Sequence, residues 1–138
     1  MIISHAAMPP LPDETAHLAN VAFGEGNPYR AIGDNLDTLF TDSDFSGLYE
    51  EREATVPASL LAMVTIFQFV EGLSDLEAVA ALRSRVDWKY ALHLPLDYAG
   101  FDELALSEFR QRVAYQKRGQ LALKRLLHSV RELGLVWQ

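Results

Sequence analysis

The run from Ala58 to Glu71 (ASLLAMVTIFQFVE) places apolar side chains on nearly every side of a helix, with Pro57 before it and Gly72 after it. A helix without a polar face cannot lie on a surface, so other elements must surround it. Its uncharged part, Leu60 to Val70, is about half of the ~20 residues needed to cross a bilayer. The N-terminus, Met1 to Pro12, has no basic start followed by an apolar core of the kind that marks a signal peptide. The run is therefore read as the central helix of a core, and no membrane partner is expected. At 138 residues, 49% of them hydrophobic, the chain suits one globular domain. It has no cysteine, which excludes a disulfide framework, a thiolate zinc site and a cysteine nucleophile. A cytoplasmic protein is the expectation.

The flanking sequence supplies the surrounding helices. Asn27 precedes Pro28, and Tyr29, Ile32, Leu36, Leu39 and Phe40 follow at helical spacing, which predicts a first helix. Ser74-Asp75-Leu76-Glu77 has the form of a capping box and predicts a helix starting at Asp75, with Leu76, Val79, Leu82 and Val86 inward. Beyond Pro95 and Gly100, Leu106, Phe109 and Val113 share one face. After Gly119, which is read as a break, Leu123, Leu126, Leu127, Val130 and Leu133 line a last helix ended by Gly134. Residues 1–26, with Pro9, Pro10, Pro12, Gly24 and Gly26, show neither period and are read as a mobile arm ahead of a helical domain over 27–138. No alternating run is long enough for a buried strand. The expected fold class is all-α, a compact bundle of about five helices.

Charge is unevenly placed. The net charge is −7, which for the chain as a whole argues against a nucleic-acid binder. Residues 1–80, however, hold only Arg30 and Arg52 against thirteen acids, whereas residues 81–138 hold ten basic groups against six acids. Such asymmetry suits either a basic face for a polyanion or two halves that attract each other.

Five segments taken together carry a family resemblance: Gly72-Leu73-Ser74-Asp75, Asp87-Trp88-Lys89-Tyr90-Ala91-Leu92, Leu94-Pro95-Leu96-Asp97, Gly100-Phe101-Asp102 and Leu106-Ser107-Glu108-Phe109-Arg110. With Asn27-Pro28-Tyr29-Arg30 and the Phe45 to Tyr49 stretch, the chain resembles the N-terminal domain of InsH-type insertion-sequence transposases, bacterial enzymes of the DDE class, over most of residues 27–134. The motif residues are Trp88, Lys89, Tyr90, Pro95, Phe101, Ser107, Glu108, Phe109 and Arg110. The resemblance implies a region that grips the terminal inverted repeats of a mobile element or holds subunits together. In the family it precedes a ribonuclease-H-like domain whose three acidic residues bind divalent metal. The chain stops at Gly134 to Gln138, so this domain is expected to be absent and no enzymatic activity or cofactor is expected of the chain on its own.

Three basic patches are candidate DNA contacts. Arg110 and Lys117 are seven apart on a helix read from Leu104 to Arg118; Lys124, His128 and Arg131 form a stripe on the last helix; Arg83, Arg85 and Lys89 make a third group. Several cations on one side of a rigid element are what phosphate contact requires, although solvated helices carry the same residues. Trp88 and Tyr90, set among Arg85 and Lys89, suit either base stacking or a helix corner in the core. A helix-turn-helix over 57–86 fits in length, but its second helix opens on Asp75 and Glu77, which phosphates repel; a later helix around 88–92 or 107–118 is preferred.

Two other readings rank lower. Asp42 to Glu53 fits calcium-loop spacing, with Gly47 at the sixth position, but Pro57 interrupts the exit helix and no second loop exists. The histidines, His5, His17, His93 and His128, lack ligand spacing. The sequence thus points to a DNA-binding and assembly module of a transposase. The alternative is an interaction module whose basic stripes face an acidic surface, such as residues 34–53 of a second copy, and the third reading is a calcium-binding helical domain.

Overall fold

The computed structural model describes residues 9–39, 45, 48–49 and 56–135. Among these the protein is all-α, with eight helices and no strand: α1 Asp13–Ala22, α2 Pro28–Asp34, α3 Leu36–Leu39, α4 Ala58–Glu71, α5 Asp75–Ser84, α6 Val86–Ala91, α7 Leu104–Ala114 and α8 Lys117–Glu132.

Helix α4 lies at the centre. Nine of its residues, from Ala58 to Phe67, are buried, and it packs against α5 and α7. Gly72 ends it in the left-handed region (φ 69°), where the Leu73 amide donates to Gln68 O at 2.9 Å. The chain then turns through 107° into α5. The capping box at Ser74 forms as the sequence predicts: Ser74 Oγ accepts from the Glu77 amide at 3.1 Å, and the Glu77 carboxylate accepts from the Ser74 amide at 3.0 Å. At the start of α2, Asn27 Oδ1 accepts from the Tyr29 and Arg30 amides at 2.9 and 3.3 Å.

The structure departs from the sequence reading in four places. Residues 13–22, inside the segment expected to be a mobile arm, form α1 and dock on α6. The buried residues of α1 are Thr15 and Ala19, so no large apolar period announces it; Thr15 Oγ1 donates to Leu94 O at 2.7 Å. The first predicted helix is broken at Asn35 into α2 and α3, and Phe40 lies outside the described residues. Leu76, expected inward, is 63% exposed. Gly119 is not a break: the chain turns at Tyr115-Gln116, and Gly119 sits buried in the first turn of α8, where a Cβ would come within 3.2 Å of Leu48 Cδ2.

Two close contacts fix the N-terminal layer. Gly33 of α2 faces α6 so tightly that a Cβ there would lie 2.5 Å from Tyr90 Cδ1 and 2.6 Å from Tyr90 O. Just beyond α6, the His93 ring lies between two carbonyls, Nδ1 2.7 Å from Pro9 O and Nε2 2.7 Å from Gly33 O.

Candidate nucleic-acid interface

Two residues of the resemblance motifs, Tyr29 and Trp88, meet at the joint of α2, α4 and α6. The Phe67 ring of α4 lies 4.8 Å from Tyr29 of α2, edge-on, and 5.3 Å from Trp88 of α6. The Arg85 guanidinium carbon sits 5.0 Å from the Trp88 ring centroid and 5.5 Å from that of Tyr29. Glu71, the last residue of α4, accepts from three donors: the Tyr29 hydroxyl, Trp88 Nε1 at 3.1 Å and Arg85 Nη1 at 2.6 Å. Arg85 also pairs with Asp87, Nη2 to Oδ2 at 2.8 Å and Nε to Oδ1 at 3.0 Å. Trp88 is fully buried and Tyr90, whose hydroxyl donates to Asp34, is nearly so. Both rings therefore anchor the helix corner and are closed to base stacking.

Cations singled out from the sequence divide into two groups. Lys89 is 4% exposed, and its ammonium donates to Arg83 O and Leu96 O, closing the end of α5 against the 93–98 loop. Arg110 forms a bidentate pair with Asp75, at 2.7 and 2.8 Å, joining α7 to the start of α5. Because α7 ends at Ala114, Arg110 and Lys117 lie on different helices and do not share a face. Lys89 is thus buried in the fold, whereas Arg85 and Arg110 are engaged by carboxylates, Arg110 at an exposed position. The other motif residues make contacts within the domain. Phe109 is buried against Phe45 at 5.9 Å, Glu108 pairs with Arg112 at 2.8 Å, Ser107 Oγ donates to Leu104 O, Phe101 packs on the core, and Pro95 O closes a turn with the Tyr98 amide.

The second group lies on α8. Ala122, Leu126 and Val130 are buried, while Lys117, Arg118, Lys124, Arg125, His128 and Arg131 are all exposed. At about 100° per residue these six fall within about 140° of arc, opposite the buried stripe. Arg83, at the end of α5, is also exposed. The i, i+4, i+7 spacing identified Lys124, His128 and Arg131, but it passed over Arg125 and Leu121, which line the same concave strip with Lys124, His128 and Ser129.

Charge in the joint responds to acid. Burial raises the Glu71 carboxyl, but donation from Arg85, Tyr29 and Trp88 outweighs it and holds the group below the usual carboxylate range. Asp75 is held low by Arg110 first, against burial, and then by Gln68. A carboxyl depressed in the folded state stabilises the fold above its unfolded pKa, about 4, and loses that contribution as pH falls through the folded value. Urea midpoints measured from pH 7 to pH 2.5 should therefore drop steeply below about pH 4. In Glu71→Gln the drop should be shallower; an identical profile in the two proteins would show that Glu71 carries none of it.

A family model described as Transposase domain (DUF772) matches residues 18–112. The chain belongs to this family. The matched stretch of the transposase domain opens inside α1 and closes inside α7, so it contains the whole Tyr29–Glu71–Trp88–Arg85 joint. Membership supports a role in transposition, as the resemblance implied. Helix α8 begins five residues after the matched stretch ends. No curated protein and no solved structure matches the chain.

Other candidates are placed as follows. The Asp42 to Glu53 segment lies outside the described residues except for Phe45, Leu48 and Tyr49. Leu48 is buried and its carbonyl accepts from Arg112 Nη1 at 2.8 Å, while the Arg112 guanidinium stacks 4.3 Å from the Tyr49 ring centroid. His128 pairs with Glu132 at 3.0 Å, and His93 serves the N-terminal layer. Among the described residues no three His, Asp or Glu side chains converge as a metal site would require. No single helix among them is long and apolar enough to cross a membrane.

Proposed function

We propose that this transposase domain holds duplex DNA at the terminal inverted repeats of a mobile element through the outward face of α8, supporting strand transfer without carrying it out. One observation carries the reading: Lys117, Arg118, Lys124, Arg125 and Arg131 project from one side of a single rigid helix, in a chain whose first 80 residues are strongly acidic. Phosphate contact needs that arrangement, because each neutralised phosphate releases counterions. The acidic remainder of the domain repels DNA and leaves α8 as the surface that faces it.

Binding to a labelled 20-bp duplex of random sequence tests this by its salt dependence. The log–log slope should be about −0.9 per phosphate contacted, and it should become shallower by about 2 to 3 in a Lys117→Ala/Lys124→Ala/Arg125→Ala variant. Absence of any complex at about 50 mM salt would refute the proposal.

A second reading, assembly with another copy, is favoured by α1. Its outer face carries Glu14, Leu18 and Val21 at i, i+4 and i+7, Val21 being 74% exposed, and no lysine or arginine occurs before Arg30. That acidic, partly apolar face complements α8. Sedimentation that is monomeric at all concentrations would exclude it.

A further inference from the structure

Leucine is out of place in the middle of a phosphate-gripping face. Leu121 is 52% exposed and lies near the centre of the cationic arc of α8, one helical turn before Lys124 and Arg125 and between the directions of Lys117 and Arg125. It has no role in phosphate contact and does not pack on the core with Ala122, Leu126 and Val130. The strip it lines with Lys124, Arg125, His128 and Ser129 is concave.

The chemistry of that strip matches a base edge. In the major groove, thymine presents its C5 methyl to apolar side chains, and guanine presents O6 and N7 to lysine or arginine. The groove is about 12 Å wide and admits a helix. Helix α8 is delivered for this by its connection: α7 packs against it, only Tyr115 and Gln116 intervene, and Gln120 Nε2 donates back to Ala114 O at 2.9 Å. A pair of helices joined in this way presents the first half of the second helix to the bases. That half, Lys117 to Arg125, carries four cations and no carboxylate, whereas the far end carries Glu132. The positive end of the helix dipole lies on the same side.

We infer that α8 is a sequence-reading helix, in which Leu121 packs against a thymine methyl and Lys124 with Arg125 donates to the O6 and N7 of a neighbouring guanine, while Lys117 and Arg118 hold flanking phosphates. The inference rests on the DNA reading of α8 and adds which of its side chains read bases and which hold phosphates. Gln120 is occupied in the turn and takes no part in reading adenine.

Selection of bound sequences from a randomised duplex library with the whole chain, followed by binding to synthetic duplexes, tests it. The selected sites should contain a thymine next to a guanine. Replacing that thymine with deoxyuridine, which removes only the methyl group, should weaken wild-type binding about fourfold. Leu121→Ala, at an exposed position, should retain its helical spectrum and salt slope yet bind the two duplexes equally. Lys124→Ala should lose about tenfold of the preference for the guanine. If the library yields no preferred sequence while binding persists, α8 holds phosphates only and the inference falls, leaving the holding of duplex DNA by α8 standing but not its choice of the inverted repeats. Equal wild-type affinity for the thymine and deoxyuridine duplexes at every selected position would also overturn it. Failure to bind any duplex at about 50 mM salt would instead refute the DNA reading itself.

Discussion

Gly33→Ala should destabilise the domain by about 3 kcal/mol, near the upper end for overpacking, because the added methyl meets backbone as well as a side chain. The Tyr90 ring can swing away from a Cβ placed 2.5 Å from its Cδ1, but Tyr90 O, at 2.6 Å, moves only if α6 moves. Helix α6 is held in turn by the aromatic joint and by α1, so α2 must lift off and expose Tyr29 and Ile32. In thermal unfolding this corresponds to a fall in Tm of about 10 °C for a domain of this size. Gly24 provides the control, since a Cβ there has nothing within 4 Å. Gly24→Ala should shift stability by less than about 0.5 kcal/mol. Equal Tm values for the two variants would mean that α2 and α6 do not approach as closely as described.

The second large effect belongs to Glu71→Ala, with a cost of about 3 kcal/mol. The carboxylate is the common acceptor for the Tyr29 hydroxyl, Trp88 Nε1 and Arg85. Removing it leaves a buried indole N–H and a buried phenol without their partner, each costing about 1 to 3 kcal/mol, an upper range here because the Glu71 side chain retains some solvent contact. Arg85 is the least affected, since Asp87 still binds it through two nitrogens. Glu71→Gln keeps an acceptor oxygen and should recover about half of the loss. Urea unfolding of the three proteins decides the matter: a loss below about 1 kcal/mol in the alanine variant would mean that the rings alone hold the joint.

What the sequence disclosed and what it concealed follow from the range over which each signal acts. The Ser74–Glu77 capping box, Asn27 before Pro28, the Gly72 stop and the stripe of α8 are written within a few residues, and all appear in the structure. Helix α1 was hidden because a small, half-polar face, Thr15 and Ala19, can be buried without any large apolar residue. Gly119 misled for a related reason. Glycine suits a break, but here it serves close packing beneath Leu48, and the turn falls at Tyr115-Gln116. The cations were hardest to judge. Composition counted Arg85, Lys89 and Arg110 with the surface set, yet their partners, Glu71, the Arg83 and Leu96 carbonyls, and Asp75, are brought near only by tertiary structure. A lone acid at the end of the apolar α4 was the available clue that a cation and other hydrogen-bond donors must meet it.

The docking of the N-terminal layer also sets an order of events during synthesis. Thr15 finds its acceptor at Leu94, 79 residues later, and Pro9 meets His93 after 84. At about 5 to 20 residues per second, a ribosome needs roughly 4 to 16 seconds to supply that partner after α1 has been made. During that interval α1 has been made without the α6 surface it docks on, and the length of its exposure to chaperones and proteases is governed by the pace of translation through residue 94.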